Sequence, residues 1–282
     1  MIFAARTFRR TEPAEERALH HKKQAHFRFP GMRAVFALIL REMATTYGRS
    51  PGGYAWAILE PVAGVALMTI LFSIAFPSPP IGESFALFYA TGLLPFMFYQ
   101  ESTQKIGIAI QYSRPLLAYP NVVFLDAILG RLILNTLTQI LIFALIVGGL
   151  VVSMDLAVVF DFPALLQALG MLIALVTGVG VLNCYVMSRF PIWQRIWAIL
   201  NRPLFIISGI FILLDELPEP YREYSYYNPV AHILSQTRTA FYPFYEPSIL
   251  SPLYVYCVSF VLAFFGVLLL YRYHSFILDE GA

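Results

Sequence analysis

The sequence predicts an all-α polytopic membrane protein with six transmembrane helices. Of its 282 residues, 59% are hydrophobic and only 13% are charged, about half the charge of an average soluble domain. Apolar runs of about 20 residues, the length that a helix needs to cross the hydrocarbon core, recur along the chain. Lysine and arginine are concentrated at the N-terminus and on alternate connections between these runs. These observations exclude a soluble globular protein.

Six apolar segments are candidate spans. Five of them qualify clearly by length and composition, whereas the second is short and contains Pro95, so its backbone must be satisfied inside the protein. The predicted spans are residues 54–76, 85–99, 127–152, 164–187, 196–214 and 253–271. An even number of spans places both chain ends on the same side of the membrane.

The distribution of positive charge predicts the orientation. Of the 19 lysines and arginines, all but Arg222 and Arg238 fall on the side of the N-terminus when six spans are drawn. Cytoplasmic segments of membrane proteins have this excess of positive charge. The sequence therefore predicts that both termini are cytoplasmic.

The chain divides into a polar cytoplasmic tail, an amphipathic interface helix and a membrane domain. These regions are predicted at residues 1–30, 31–50 and 51–282. In the second region Phe36, Leu40 and Met43 recur at helical spacing, with Arg33 and Arg41 on the other face. This pattern is typical of a helix that lies in the membrane interface with its basic face towards the headgroups.

Glu60 is an acidic residue well inside the first predicted span. A lone carboxylate in the hydrocarbon region needs a partner or water. Either it faces the interior of the bundle as part of a functional path, or it lies near the interface and binds water or a neighbouring backbone group. The sequence leaves both interpretations open.

The connection between spans five and six is predicted to be helical. Asn228 before Pro229 is typical of a helix cap followed by a first-turn proline. Val230, Ile233 and Leu234 then follow at helical spacing. This pattern predicts an amphipathic helix at the periplasmic surface, and a shorter helix is expected just before it.

Five segments of the sequence form a recognisable series. They are LREMATTYGRSPGGYAWAILEPV (residues 40–62), GLLPFMFY (92–99), SRPLLAYPNVVFLDAILGR (113–131), NRPLFIISGIFI (201–212) and YNPVAHILSQTR (227–238). In this order they resemble the inner-membrane permease of bacterial capsular polysaccharide exporters, a branch of the ABC-2 type export permeases. The resemblance covers nearly the whole chain beyond residue 32. It implies a six-span ABC-2 transmembrane domain with short re-entrant periplasmic helices between spans five and six.

The resemblance also implies a set of partners. The chain would be a transporter subunit, not an enzyme, and would pair with a second copy of itself and with two copies of a cytoplasmic ABC ATPase. A periplasmic co-polymerase and an outer-membrane polysaccharide exporter are implied as well, together with membrane lipid. The implied cargo is a capsular polysaccharide, lipid-terminated and acidic.

The residues themselves bear on cofactors. The chain contains no Walker-type phosphate-binding pattern and no His/Cys cluster with zinc-ligand spacing. No cofactor is therefore expected in this chain, and ATP and Mg²⁺ would bind the partner ATPase. Because the sequence has no dense basic stripe, no nucleic-acid partner is expected either.

The connection between spans two and three is the predicted contact with the ATPase. By resemblance, such loops dock into a groove of the ATPase and pass its closing motion to the spans. The interface helix would pack nearby. The predicted coupling residues are Arg41, Glu42, Lys105, Ile106, Ile110, Gln111 and Arg114.

Aromatic and charged residues are the candidates for the substrate path. Sugar rings pack on aromatic rings while phenol hydroxyls form hydrogen bonds, and an acidic glycan needs cationic groups at its entry. The candidates are Glu60, Tyr89, Phe96, Tyr99, Arg131, Arg202, Tyr224 and Tyr227. An interfacial aromatic belt and contacts with lipid headgroups are the alternative interpretations.

Other functions fit parts of the pattern. The cargo of such a permease can instead be O-antigen, teichoic acid or a drug. A membrane-embedded transferase would need converging carboxylates or an in-membrane histidine, and the spans offer mainly Glu60 and Asp126. A secondary transporter would show an inverted repeat or paired intramembrane charges, and the sequence has neither.

Overall fold

The structure is a computed structural model that describes residues 30–47, 53–117, 123–156, 158–248 and 250–279. All regular secondary structure in these ranges is helical. The helices are α1 (Pro30–Tyr47), α2 (Gly53–Ala75), α3 (Phe85–Gly107), α4 (Ala109–Leu117), α5 (Phe124–Ser153), α6 (Phe162–Arg189), α7 (Ile192–Ile207), α8 (Tyr221–Tyr226), α9 (Pro229–Thr239) and α10 (Pro252–Asp279), with a 3₁₀ turn at Leu214–Glu216. Except for Pro30, the predicted tail lies outside the described residues.

Four of the described helices have the length and composition of membrane spans. They are α2 over Ala55–Ala75, α5 over Phe124–Ser153, α6 over Phe162–Arg189 and α10 over Pro252–Tyr273. These helices are the first, third, fourth and sixth predicted spans. The prediction of an all-helical chain with several apolar, membrane-length helices is therefore confirmed for the described residues.

The second and fifth predicted spans correspond to helices of a different kind. α3 has 23 residues, but its second half contains Glu101 and Lys105, and most of its side chains are buried inside the protein. α7 has 16 residues and ends at Ile207, short of the predicted end at residue 214. Gly209 follows with a φ of +81°, a left-handed conformation that ends a helix and that glycine adopts without strain.

α3 is the central helix of the bundle and packs against α2, α5, α6 and α9. It runs antiparallel to α5. Before the start of α3, Ser84 donates a hydrogen bond to Met154, which directly follows α5. In its last turn, Lys105 accepts one from Arg131, near the start of α5.

α6 and α10 pack closely and run parallel. A Cβ atom at Gly178 of α6 would lie 2.4 Å from the carbonyl oxygen of Ser259 in α10. One at Gly266 of α10 would lie 2.7 Å from the backbone nitrogen of Leu182. Residue numbers rise together along the two helices at these contacts, so the helices point the same way. Small residues permit this close backbone approach between membrane helices.

α7 returns the chain to the end of the bundle at which α6 began. Its start is tied to the last part of α6, since Trp193 Nε1 donates to Asn183 Oδ1 at 3.0 Å. Just beyond its end, the Ser208 hydroxyl accepts a hydrogen bond of 3.0 Å from the side chain of Asn228, which precedes α9. α7, which lies between α6 and α10 in the sequence, thus runs back along the bundle.

α9 is buried on all sides. The side-chain oxygen of Asn228 accepts from the backbone N–H of Val230 at 3.0 Å, and Pro229 is the first helical residue, as predicted. Every residue from 230 to 238 is buried. The prediction of an amphipathic surface helix is therefore wrong, because the polar positions between the apolar ones also face protein.

Candidate functional site

Two polar clusters lie at opposite ends of α3. One surrounds Arg131 at the last turn of α3, and the other surrounds Arg238 at its first turn. Lys105, at the first cluster, follows Phe88, at the second, by 17 residues. At 1.5 Å per residue the clusters are roughly 25 Å apart along the helix.

Arg131 is a buried side chain of α5, 4% exposed, that joins three other helices. Its Nη1 donates to the Lys105 carbonyl at the end of α3, at 2.7 Å. Its Nη2 lies 3.0 Å from each carboxylate oxygen of Glu42 in α1. The guanidinium carbon is 4.9 Å from the centre of the Tyr112 ring in α4. These four residues are the Arg131 cluster.

α4 has a second attachment, to the end of α6. Gln111 Nε2 donates to the carbonyl oxygen of Met187 at 2.8 Å. Ile106 and Ile110 are buried in the main hydrophobic core of the chain. These two predicted coupling residues therefore hold α3 and α4 to the rest of the protein and do not lie on its surface.

The remaining predicted coupling residues lie in different settings. Arg41 is exposed on α1, next to Glu42. The partly exposed side chain of Lys105 forms an ion pair of 2.9 Å with Glu101. Arg114 belongs to α4, but its side chain lies outside the described residues. The structure thus brings α1 and the α3–α4 connection together at one end of the bundle.

Arg238, in α9, is 1% exposed. Its Nη2 donates to the Ile210 carbonyl at 3.2 Å, and its guanidinium carbon lies 4.3 Å from the centre of the Phe88 ring. Among the described residues its Nε has no hydrogen-bond partner, and it takes part in none of the ion pairs. Burial lowers the pKa of Arg238 to about 10, so it remains protonated at neutral pH.

Tyr245 links the surroundings of Arg238 to the carboxylate of Asp215. Tyr245 lies beside the guanidinium and donates from its hydroxyl to Asp215 Oδ2 at 3.0 Å. Ser248 donates to the other carboxylate oxygen of Asp215 through its backbone N–H, at 2.9 Å, and through its hydroxyl. Gly92 leaves the space that the guanidinium fills, because a Cβ there would lie 3.0 Å from Nη2. The sequence analysis did not single out Arg238 as a site residue. Its position as one of two arginines on the side with little positive charge could have drawn attention to it.

The predicted pathway residues do not form one site in the described part of the chain. Tyr89, Phe96, Tyr99 and Arg131 are buried, whereas Glu60, Arg202, Tyr224 and Tyr227 are exposed. The buried group faces other helices of the same chain. The exposed group lies on its outer surface, with Glu60 on α2 and Arg202 on α7.

A pocket of 770 Å³ lies beside the start of α6 and the end of α9. Its lining includes Phe160, Asp161, Phe162, Gln167, Gln236 and Tyr245. Aromatic rings next to amide and carboxylate groups are chemically suited to sugar rings and hydroxyls. Among the described residues, no group of three or more His, Cys, Asp or Glu side chains is placed to hold a metal ion.

His232 connects α9 to both neighbouring segments at the same end as Arg238. The backbone N–H of Ser251 donates to its Nδ1 at 3.1 Å, which leaves the ring proton on Nε2. Nε2 then donates to the Tyr226 carbonyl at 2.8 Å. The rings of Tyr226 and Tyr254 both pack against it, with centres 5.3 and 5.2 Å from the centre of the imidazole and 6.0 Å from each other. Burial lowers the pKa of His232, and the bond to the Tyr226 carbonyl opposes this in part.

The stability of the protein is therefore expected to fall on acidification through His232. The unfolded chain binds this proton near pH 6.5, whereas the folded chain binds it only at lower pH. The contribution of neutral His232 to stability is thus fully present above about pH 6.5 and is lost as the pH falls through the lowered pKa. Thermal unfolding in detergent, measured between about pH 7.5 and pH 5, should show a steeper loss for the wild type than for His232→Gln. Parallel pH profiles for the two proteins would contradict this assignment.

Comparison with known proteins identifies the family. Residues 33–242 match the family model described as ABC-2 type transporter. The polysialic acid transport protein KpsM of Escherichia coli is 32% identical over 238 residues, which cover 84% of this chain and 92% of KpsM. The capsule polysaccharide export inner-membrane protein CtrC of Neisseria meningitidis serogroup B is 25% identical over 245 residues, 86% of this chain and 91% of CtrC.

A third relative has the same kind of name. The capsule polysaccharide export inner-membrane protein BexB of Haemophilus influenzae is 26% identical over 204 residues, 71% of this chain and 76% of BexB. The family match includes both Arg131 and Arg238 and runs through every helix from α2 to α9. The resemblance seen in the sequence is thereby confirmed, and the chain belongs to the ABC-2 type transporter family.

Proposed function

We propose that this chain is the transmembrane permease subunit of an ATP-driven exporter that moves capsular polysaccharide across the bacterial inner membrane. The main support is the family match over residues 33–242, together with relatives that are named for capsule export or polysialic acid transport. A permease for O-antigen, teichoic acid or a drug remains the alternative within the same family. The names of the relatives favour capsule as the cargo.

We propose six membrane spans with both termini in the cytoplasm. The parallel packing of α6 and α10 supports this count, because a chain that crosses once in α6 and once in α10 must return between them. α7 is the segment that returns, and α3 does so between α2 and α5. The end of the bundle around Arg131 is then cytoplasmic, in agreement with the excess of lysine and arginine on that side.

An ABC ATPase, present in two copies, is the proposed energy source, and ATP and Mg²⁺ bind to it. The α3–α4 connection is its proposed docking site on this chain. Tyr112 is exposed on α4 and Arg41 is exposed on α1, so a partner that docks at this end of the bundle would meet both side chains. Ile106 and Ile110 act from inside, by attaching the docking segment to the core.

A second copy of the chain is proposed to complete the glycan path. Within one chain the aromatic residues of α3 are packed in the core, and the faces of α2 and α7 point outward with large apolar side chains such as Leu67 and Ile199. Glu60 and Arg202 lie exposed on the same two helices. A path between two copies would expose these side chains to an acidic, lipid-terminated glycan.

Two further partners follow from the proposed export route. A periplasmic co-polymerase and an outer-membrane exporter would receive the polymer on the far side. The end of the bundle around Arg238, with the exposed Tyr224 and Tyr227 and the adjacent 770 Å³ pocket, is where the polymer would leave this chain.

The function is tested by deleting the gene for this chain in its source bacterium and restoring it on a plasmid. Capsular polysaccharide is expected to accumulate inside the deleted strain and to return to the cell surface on restoration. The chain, purified from native membranes in mild detergent, is expected to bring with it an ATPase that has a phosphate-binding loop. Unchanged surface capsule, with the loss of a different exported compound, would assign the chain to another cargo.

A further inference from the structure

Arg131 contacts three helices other than its own. It receives Glu42 from α1 and the Lys105 carbonyl from α3, and it lies against the Tyr112 ring of α4. Lys105 is in the last turn of α3, where backbone carbonyls lack an intrahelical donor. One side chain of α5 therefore satisfies the end of α3, pairs with the interface helix and contacts the proposed docking helix.

We propose that Arg131 is a positioning residue that passes the displacement of α4 to α1 and α5 without touching the glycan. The inference rests on the proposed function, since it names the link between the ATPase contact and the spans. This role differs from the one that the sequence suggested for Arg131, which was to guide the glycan at its entry. An entry guide must present its guanidinium to the polymer, whereas this one is buried and its donors point at Lys105 and Glu42.

The geometry accounts for transmission in two directions. Tyr112 and Gln111 are adjacent residues of α4, one against Arg131 and the other bonded to the Met187 carbonyl of α6. A push on α4 is therefore felt at α1 and α5 through the Arg131 cluster and at α6 through Gln111. α3 is held in the same assembly by its end at Gly107, where a Cβ would lie 2.7 Å from Met187 Sδ.

The pair between Arg131 and Glu42 is built for precise orientation. Both carboxylate oxygens lie at 3.0 Å from the same guanidinium nitrogen while another nitrogen holds the carbonyl. Lysine has a compact charge and cannot span these two partners in the same way. Removal of the charge of Glu42 leaves its shape and its place on α1 intact, so Glu42→Gln tests the link with little change in packing.

The test measures ATP hydrolysis by the purified complex and surface capsule in the restored strain, for Glu42→Gln, Arg131→Lys and the double variant. Glu219→Gln is the matched control, because it removes a carboxylate from an exposed ion pair with Arg222 at the other end of the protein. We expect the Glu42 and Arg131 variants to retain complex assembly and ATP hydrolysis. Capsule exported per ATP, taken as the surface capsule of a strain divided by the ATP hydrolysis of the same variant complex, should fall about tenfold. The double variant should lose little more than either single variant.

Two results would overturn the inference while the proposed function stands. One is export per ATP in Glu42→Gln equal to that of the wild type and Glu219→Gln. The other is a loss of complex yield, ATP hydrolysis and export in equal proportion, which would show a purely structural role. If the wild-type chain proves unnecessary for capsule export, the proposed function falls and this inference falls with it.

Discussion

Replacement of Gly178 by alanine is expected to lower the thermal stability of the protein in detergent by a large amount. The new Cβ would lie 2.4 Å from the Ser259 carbonyl oxygen, and both groups belong to helix backbones that cannot rotate away. α6 and α10 must then separate along their parallel contact. Overpacking of this kind typically costs about 1–3 kcal/mol. Thermal unfolding of the purified protein, followed by light scattering or tryptophan fluorescence, measures the shift.

Gly148→Ala is the matched control for this variant. Gly148 lies in α5, and a Cβ there meets no described atom within 4 Å. Both variants gain about 1 kcal/mol of helix propensity from alanine, so their difference reports the clash alone. Equal unfolding temperatures for the two variants would show that α6 and α10 do not pack as closely as described.

Truncation of Arg238 to alanine is expected to have the second large effect. Arg238 is the largest of the fully buried side chains in the described residues. Its removal leaves a cavity, frees the Ile210 carbonyl and ends the contact with the Phe88 ring. Truncation of a large buried apolar side chain costs about 3–5 kcal/mol. Removal of the buried charge of Arg238 offsets part of this cost, and the unfolding temperature should still fall.

Two further substitutions separate the causes of this effect. Arg238→Met fills much of the same volume and removes the buried charge, so its loss should be smaller than that of Arg238→Ala. Arg222→Ala removes a more exposed arginine at the same end and is expected to be nearly neutral. A loss for Arg238→Met as large as that for Arg238→Ala would mean that the charge itself, and not the packing, stabilises this end of the protein.

Hydropathy and local chemistry predicted the parts of the fold that depend on neighbours in sequence. Apolar length identified α2, α5, α6 and α10, since crossing a membrane is a local requirement. The Asn228–Pro229 pair correctly marked the start of α9, because capping involves only adjacent residues. The same reasoning failed for the environment of α9, since an apolar position facing protein and one facing solvent or lipid look alike in sequence.

The long-range contacts could not be predicted from the sequence for a related reason. Arg131 was predicted to meet glycan because a cationic residue near the inner membrane surface fits that role. Its partner Glu42 precedes it by 89 residues, and no local pattern indicates that the two meet. Arg238 entered only the charge count and the last of the five resembling segments, because its burial depends on Phe88, Ile210 and Tyr245, which lie in three separate parts of the chain.

The parallel pairing of α6 and α10 also sets the order in which the protein is completed during synthesis. Ser259 follows its contact Gly178 by 81 residues, so α6 leaves the ribosome long before its partner exists. At about 5–20 residues per second this interval lasts roughly 4–16 s. During that time the face of α6 around Gly178 lacks its neighbour in α10, and translation of α10 is what covers it. A nascent chain that stops before Pro252 lacks the helix that covers Gly178.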